Sequence, residues 1–161
     1  RYVVLVRDIR TALASNYTKW RSAYGVSFSE YLAGDPRGHK FNSDLWWSLR
    51  FLNSWGEVLE NVPRRVTVIH YETLENDASG ELERIAHDLD LDLSQAAIEH
   101  GVEVSTRPLM QEKDDPRRPS GAVRSATPDP HAFFDAAGKA FFVEVLTACL
   151  RHDFGYDYSR W

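Results

Sequence analysis

The chain has 161 residues, 43% of them hydrophobic and 27% charged, a composition that supports one globular core, leaves no room for two full domains and excludes an intrinsically disordered chain. Its net charge of -5 argues against a general nucleic-acid binder, which presents a basic surface. No apolar run approaches the roughly 18 residues of a membrane helix, and a single cysteine, Cys149, excludes an internal disulfide framework and fits a reducing, cytoplasmic setting.

Arg1 runs directly into Tyr2-Val3-Val4-Leu5-Val6, a β-branched stretch expected to form a strand buried on both faces. A chain that begins inside a core element leads to the expectation that sequence upstream is missing. Asp8 is placed as an N-cap. Ile9, Leu13, Tyr17, Trp20 and Tyr24 then repeat at helical spacing, and Gly25 closes the helix. Residues 26–40, with Gly34, Pro36 and Gly38, read as a loop. Leu45, Leu49, Leu52, Trp55 and Leu59 mark a second helix closed by Pro63. Arg65 to His70 is a second buried strand. Ser79 is placed as the cap of a helix with Leu82, Ile85, Ala86 and Leu89 on its core face, and a short helix covers Ser94 to His100, ended by Gly101. Residues 105–128 carry four prolines without periodicity and are expected to be a mobile, functional loop. Asp129-Pro130 begins the last helix, with Phe134, Ala137, Phe141, Val145 and Ala148 on one face and Gly155 near its end. Cys149 falls in that apolar pattern and is expected to be buried. The sequon Asn16-Tyr17-Thr18 lies inside the first helix and is read as chance.

Two strands separated by helices imply an α/β fold with parallel pairing. Ligands of open α/β sheets bind beyond the carboxyl ends of the strands. The first such end is Val6-Arg7-Asp8, opening into a helix whose N-terminal N–H groups suit an anion. Arg7 adds a planar fork of donors that matches a phosphate. Ser15 lies about 200° around the helix from Leu13, off the core face, where its hydroxyl is a further donor. The competing interpretation is a surface ion-pair arginine and a solvated serine. At the second strand end stands His70-Tyr71-Glu72, where Tyr71 either lines a pocket or packs half-buried. Arg117, Arg118 and Arg124, with Ser120 and Gly121, form either a loop that folds over a phosphate or a solvated charged stretch.

Taken together, these segments resemble the sulfotransferase family, whose sulfate donor is 3′-phosphoadenosine 5′-phosphosulfate (PAPS). Val4-Leu5-Val6-Arg7-Asp8 through Ser15-Asn16-Tyr17 is similar to its 3′-phosphate motif, a strand and an arginine with a serine eight positions later. His70-Tyr71-Glu72-Thr73-Leu74 resembles the segment whose tyrosine lies by the adenine, and the helix ending Ala86-His87-Asp88-Leu89-Asp90-Leu91 resembles the stretch that follows it. Arg117-Arg118-Pro119-Ser120-Gly121-Ala122-Val123 resembles a shortened form of the R-K/R-G-x-x-G-x-W loop, lacking its first glycine and with Val123 in place of tryptophan. Ser105 matches the serine before that loop, and Gly155-Tyr156 the family's ending in bacterial members.

The resemblance implies a three-layer P-loop-NTPase-like α/β fold with a central parallel sheet, whose N-terminal strands are missing from this chain. It implies PAPS as donor, no metal, a small-molecule or carbohydrate acceptor, and no nucleic-acid or membrane partner. Arg7, Ser15, Tyr71, Ser105, Arg117, Arg118 and Gly121 would bind the cofactor. Nothing here matches the family's T-x-P-K-S-G-T-[ST] phosphosulfate segment, and the catalytic base normally precedes the Arg7 strand. The expectation is therefore a carboxyl-terminal part of a larger domain, completed by an N-terminal segment in cis or as a separate chain. None of the six histidines is assigned as base; His39, in the loop after the first helix, is the one placed nearest an acceptor. The alternatives are a non-catalytic nucleotide-binding or scaffolding module and a nucleotide-kinase relative.

Overall fold

The computed structural model describes residues 1–38, 40–112 and 129–161. In chain order the elements are β1 (Tyr2–Val6), α1 (Ile9–Tyr24), α2 (Phe28–Ala33), α3 (Leu45–Asn61), β2 (Val66–His70), α4 (Tyr71–Asn76), α5 (Ala78–Leu89), α6 (Gln95–Val104), α7 (Arg107–Glu112) and α8 (Ala136–Cys149), with short 3-10 turns at Pro63–Arg65 and Pro130–Ala132. They divide into two compact units, one of Arg1–Val6 and Arg64–Ala126, the other of Arg7–Pro63 and Thr127–Trp161.

In the first unit β1 and β2 run parallel, in a register that pairs Val4 with Val68 and Val6 with His70. The expectation of a strand buried on both faces fails for β1. Val4 and Val6 are 2% and 1% exposed, whereas Val3 and Leu5 are 43% and 47% exposed. Residues in parallel register share a face, so Val3 and Leu5 lie on the face of Thr67 and Ile69. Helix α5 packs on that strand, β2, where Thr67 Oγ1 donates to Asp88 at 3.2 Å and Arg84 Nη2 donates to the Val68 carbonyl at 2.8 Å. Ser79 is not the cap of α5: Asp77 is, accepting from Gly80 N at 3.0 Å. Helix α6 is capped by Ser94 but continues through Gly101 to Val104. The stretch expected to be a loop from residue 105 contains a helical turn, α7.

The second unit holds most of the buried rings. Helix α1 has the expected limits, with Asp8 as N-cap and Gly25 as a left-handed C-cap at φ 63°, a conformation that costs glycine no steric strain. The expected loop after it contains α2, started by a reciprocal capping box between Ser27 and Glu30. Tyr31 and Leu32 on α2, Leu13 on α1, Leu45 on α3 and Phe142 on α8 are all essentially without exposure. Phe28 meets Phe134 edge-on at 4.8 Å and Tyr17 at 5.3 Å, while Tyr31 meets Phe41 at 5.4 Å. Asp129-Pro130 starts only a 3-10 turn; the last helix begins six residues later with Asp135 as its cap. It ends at Cys149, which is exposed rather than buried because it falls on the final turn. No described helix is long and apolar enough to cross a membrane.

Candidate functional site

Arg7 occupies the junction between β1 and α1, half-buried, with its Nε fully enclosed. Ser15 stands six residues beyond Ile9, about 9 Å along the helix axis, and is half-buried beside the fully buried Leu13 and Ala14. Polar side chains in mid-helix usually bond back to a carbonyl one turn earlier. Thr11 does so to Asp8 at 3.0 Å and Thr18 to Ala14 at 2.7 Å. Among the described residues the Ser15 hydroxyl makes no such bond, so its donor remains available to a ligand.

The first-turn amides of α1 are not available. Asp8 Oδ1 accepts from Arg10 N at 2.8 Å and Thr11 N at 3.4 Å, and the Tyr158 hydroxyl accepts from Ile9 N at 3.3 Å. The expectation that the helix N-terminus itself receives an anion is corrected by these bonds: the aspartate cap and a tyrosine from the carboxyl-terminal segment have satisfied it.

Arg10, which sequence reasoning passed over, is the organising cation of this end of α1. Its Nη2 lies 2.5 Å from Asp8 Oδ2, and its guanidinium lies over the Tyr158 ring at 5.3 Å and the Trp161 ring at 5.6 Å. It also donates to the carbonyls of Asp157 and Arg160. Its hydrogen bond to Asp8 raises its pKa above the usual guanidinium value. A cavity of about 300 Å³ beside it is lined by Arg10, Asp8, Thr11, His131, Arg160 and Trp161 among others. No spacing rule reveals this cluster, because its members lie about 150 residues apart in sequence.

In the sheet unit, Val6 and His70 end level in register. Tyr71 is the first residue of α4 and half-buried. Ser105 is the exposed C-cap of α6, its N–H donating to the Val102 carbonyl at 3.2 Å. Arg117, Arg118, Gly121 and His39 lie outside the described residues. Trp46 is half-buried, with Nε1 donating to the Ala33 carbonyl at 2.8 Å, and Trp47 is 45% exposed.

A family model described as "Sulfotransferase domain" matches residues 1–118, the larger part of the chain. The chain belongs to the sulfotransferase family. No curated protein sequence matches it. Among solved structures, that of mouse sulfotransferase SULT7A1 complexed with PAP is similar at a TM-score of 0.73 and 16% identity. The match covers 94% of this chain and 58% of that one, so this sulfotransferase-family chain spans little more than half the length of that structure. At such identity the likeness establishes a shared α/β fold. The family match places Arg7, Ser15, Tyr71 and Ser105 within the matched residues.

Proposed function

We infer that this chain contributes the 3′-phosphate and adenine half of a PAPS site in a sulfotransferase. The reaction moves a sulfuryl group to an acceptor hydroxyl or amine. The bond from sulfur to the 5′-phosphate oxygen breaks, a bond from sulfur to the acceptor forms, the acceptor proton passes to a base, and 3′-phosphoadenosine 5′-phosphate (PAP) leaves. Such a transfer needs donors that hold the nucleotide and a group that takes the proton. In this reading Arg7 binds the 3′-phosphate through its fork of N–H donors, Ser15 adds a hydroxyl donor, and Tyr71 stacks by the adenine. Ser105, Arg117, Arg118 and Gly121 are proposed as further cofactor-binding residues. The catalytic base is not assigned to any residue of this chain. A P-loop-like three-layer architecture, completed by an N-terminal segment, and a cytoplasmic location belong to the same proposal.

The single observation that carries the reading is the placement of Arg7 at the strand end and of Ser15, eight positions later on the following helix, with no hydrogen bond from its hydroxyl among the described residues, inside a chain of this family. Thermal denaturation with graded PAP tests it. The midpoint should rise with PAP, because a ligand at about 100 times its Kd adds about 2.7 kcal/mol to stability. Arg7→Ala should weaken PAP binding about tenfold or more, the scale of a charge-assisted pair, and Ser15→Ala by a few-fold. A folded wild-type chain that PAP does not stabilise would overturn the cofactor assignment. Undiminished binding by Arg7→Ala would show that the 3′-phosphate lies elsewhere.

A further inference from the structure

Asn16 follows Ser15 directly, and its side-chain amide reaches out of α1 to bind its surroundings. Its Nδ2 donates to the Tyr31 hydroxyl at 2.9 Å and to the Asn42 carbonyl at 2.5 Å, with the Ser43 carbonyl at 3.5 Å. The Tyr31 hydroxyl donates in turn to the Ser43 carbonyl at 2.9 Å. Tyr31 has no exposed surface, and burial raises its pKa, so the hydroxyl keeps the proton that it donates. A carboxamide NH2 carries two hydrogens, and here both have acceptors.

The partners of that amide are themselves fixed. Tyr31 belongs to the buried face of α2. Ser43 has a left-handed backbone at φ 53°, a region that non-glycine residues sparsely populate, and the Tyr31 bond to its carbonyl holds it there. Asp44 comes next, with no exposed surface. It caps α3 by accepting from Trp47 N at 2.8 Å and also accepts from Asp35 N at 3.1 Å. Asn16 therefore joins α1 to the segment that runs into α3 and, through Tyr31, to α2.

Successive helical residues point about 100° apart, so Asn16 grips this segment while Ser15 faces a neighbouring direction. The Ser15 hydroxyl makes no hydrogen bond among the described residues, in contrast to Thr11 and Thr18. Its place is set by the roll and height of α1. A roll of about 10° moves an atom about 5 Å from the helix axis by about 0.9 Å, enough to break a hydrogen bond of about 2.8 Å. The adjoining tie that resists such a roll is the Asn16 amide.

We propose that Asn16 is a positioning residue for the nucleotide: its amide fixes α1 against α2 and residues 42–44 so that the Ser15 hydroxyl meets the 3′-phosphate. This deepens the sulfotransferase reading and rests on it for the contact between Ser15 and the phosphate. A donor held in place before the ligand arrives spares the ordering cost of binding.

Isothermal titration calorimetry with PAP, run below the denaturation midpoint of every variant, tests the proposal through a double-mutant cycle. Asn16→Ala should weaken PAP binding about threefold and have no further effect in the Ser15→Ala background. Its loss of stability, read by thermal denaturation without PAP, should be the same in both backgrounds. An asparagine with a merely structural role would change PAP binding equally with and without the Ser15 hydroxyl. Tyr31→Phe keeps the ring, removes the hydroxyl between Asn16 and Ser43, and should repeat the pattern at smaller size. Tyr24 ties the same Asn42 carbonyl at 3.2 Å, but from the end of α1, about 13 Å beyond Ser15 along the axis. Tyr24→Phe should lower stability and leave PAP binding unchanged. Undiminished PAP binding by Asn16→Ala, a full effect of Asn16→Ala in the Ser15→Ala background, or an equal loss in Tyr24→Phe overturns the proposal and leaves the nucleotide reading standing. A folded wild-type chain that does not bind PAP overturns both.

Discussion

The two units bury their apolar residues very differently. The helical unit closes around Leu13, Tyr31, Leu45 and Phe142, none more than about 0% exposed, and ties its connecting loop down with a buried aspartate and two tyrosine hydroxyls. The sheet unit leaves Val3, Leu5, Leu91 and Leu93 between 43% and 50% exposed. Two strands and one covering helix supply too little surface to seal both faces of a parallel sheet, which in most proteins is covered on both sides. The contrast teaches that apolar sequence alone does not bury a residue; a covering partner does.

The largest effect should come from Leu13→Ala in the helical unit. Truncating a fully buried leucine costs about 3 kcal/mol through lost contacts and the cavity left behind. Leu5→Ala in β1 should cost no more than about 1 kcal/mol. Urea unfolding of the two variants side by side measures the difference, and equal losses would dissolve the contrast between the units. Next comes Asp44→Ala, expected to cost about 2 kcal/mol because it removes a helix cap and leaves the Asp35 amide without its acceptor. Loosening of the loop that carries Arg37 and Lys40 should show as faster amide exchange at Asp35 and Trp47. Third, Val3→Thr/Leu5→Thr should change stability by only about 0.5 kcal/mol yet reduce concentration-dependent association, read by light scattering, since exposed apolar strands promote pairing between chains.

The smallest effect belongs to Glu30. The Ser27 backbone N–H, and then its hydroxyl, hold the Glu30 carboxylate below its ordinary pKa of 4.5. A carboxylate whose folded pKa is depressed stabilises the fold above its unfolded pKa, and that contribution disappears as pH falls through the folded value. Glu30→Gln should therefore lower the denaturation midpoint at neutral pH and lack the small acid-side step seen in wild type. An identical pH profile for the two proteins would remove the capping box from the account of α2.

Much of the frame was legible in residue order. The β-branched run at Tyr2 to Val6, the Asp8 and Gly25 caps and the leucine spacing of α3 each act locally, so each announces itself within a few residues. The Arg7 and Ser15 interval was legible for the same reason: a strand end and the second turn of a helix lie at a fixed separation. Helix α2 was missed: the glycines and proline of residues 26–40 pointed to a loop, and the Ser27 and Glu30 capping box that starts it went unread. The cap of α5 was misplaced because Asp77 and Ser79 are both good capping residues and only backbone geometry chooses between them.

What the sequence determined by itself is a set of local decisions: the two strands, the courses of α1 and α3, and which side chains have the chemistry to meet a phosphate. What tertiary structure decided is availability. It gave the α1 amides to Asp8 and to Tyr158, left the Ser15 hydroxyl unengaged among the described residues, seated Arg50 against Gly38, and left one face of β1 exposed. The physical reason is that hydrogen bonds and burial are exclusive: a donor or an apolar surface serves one partner, and which partner arrives first is settled by residues far away in the chain.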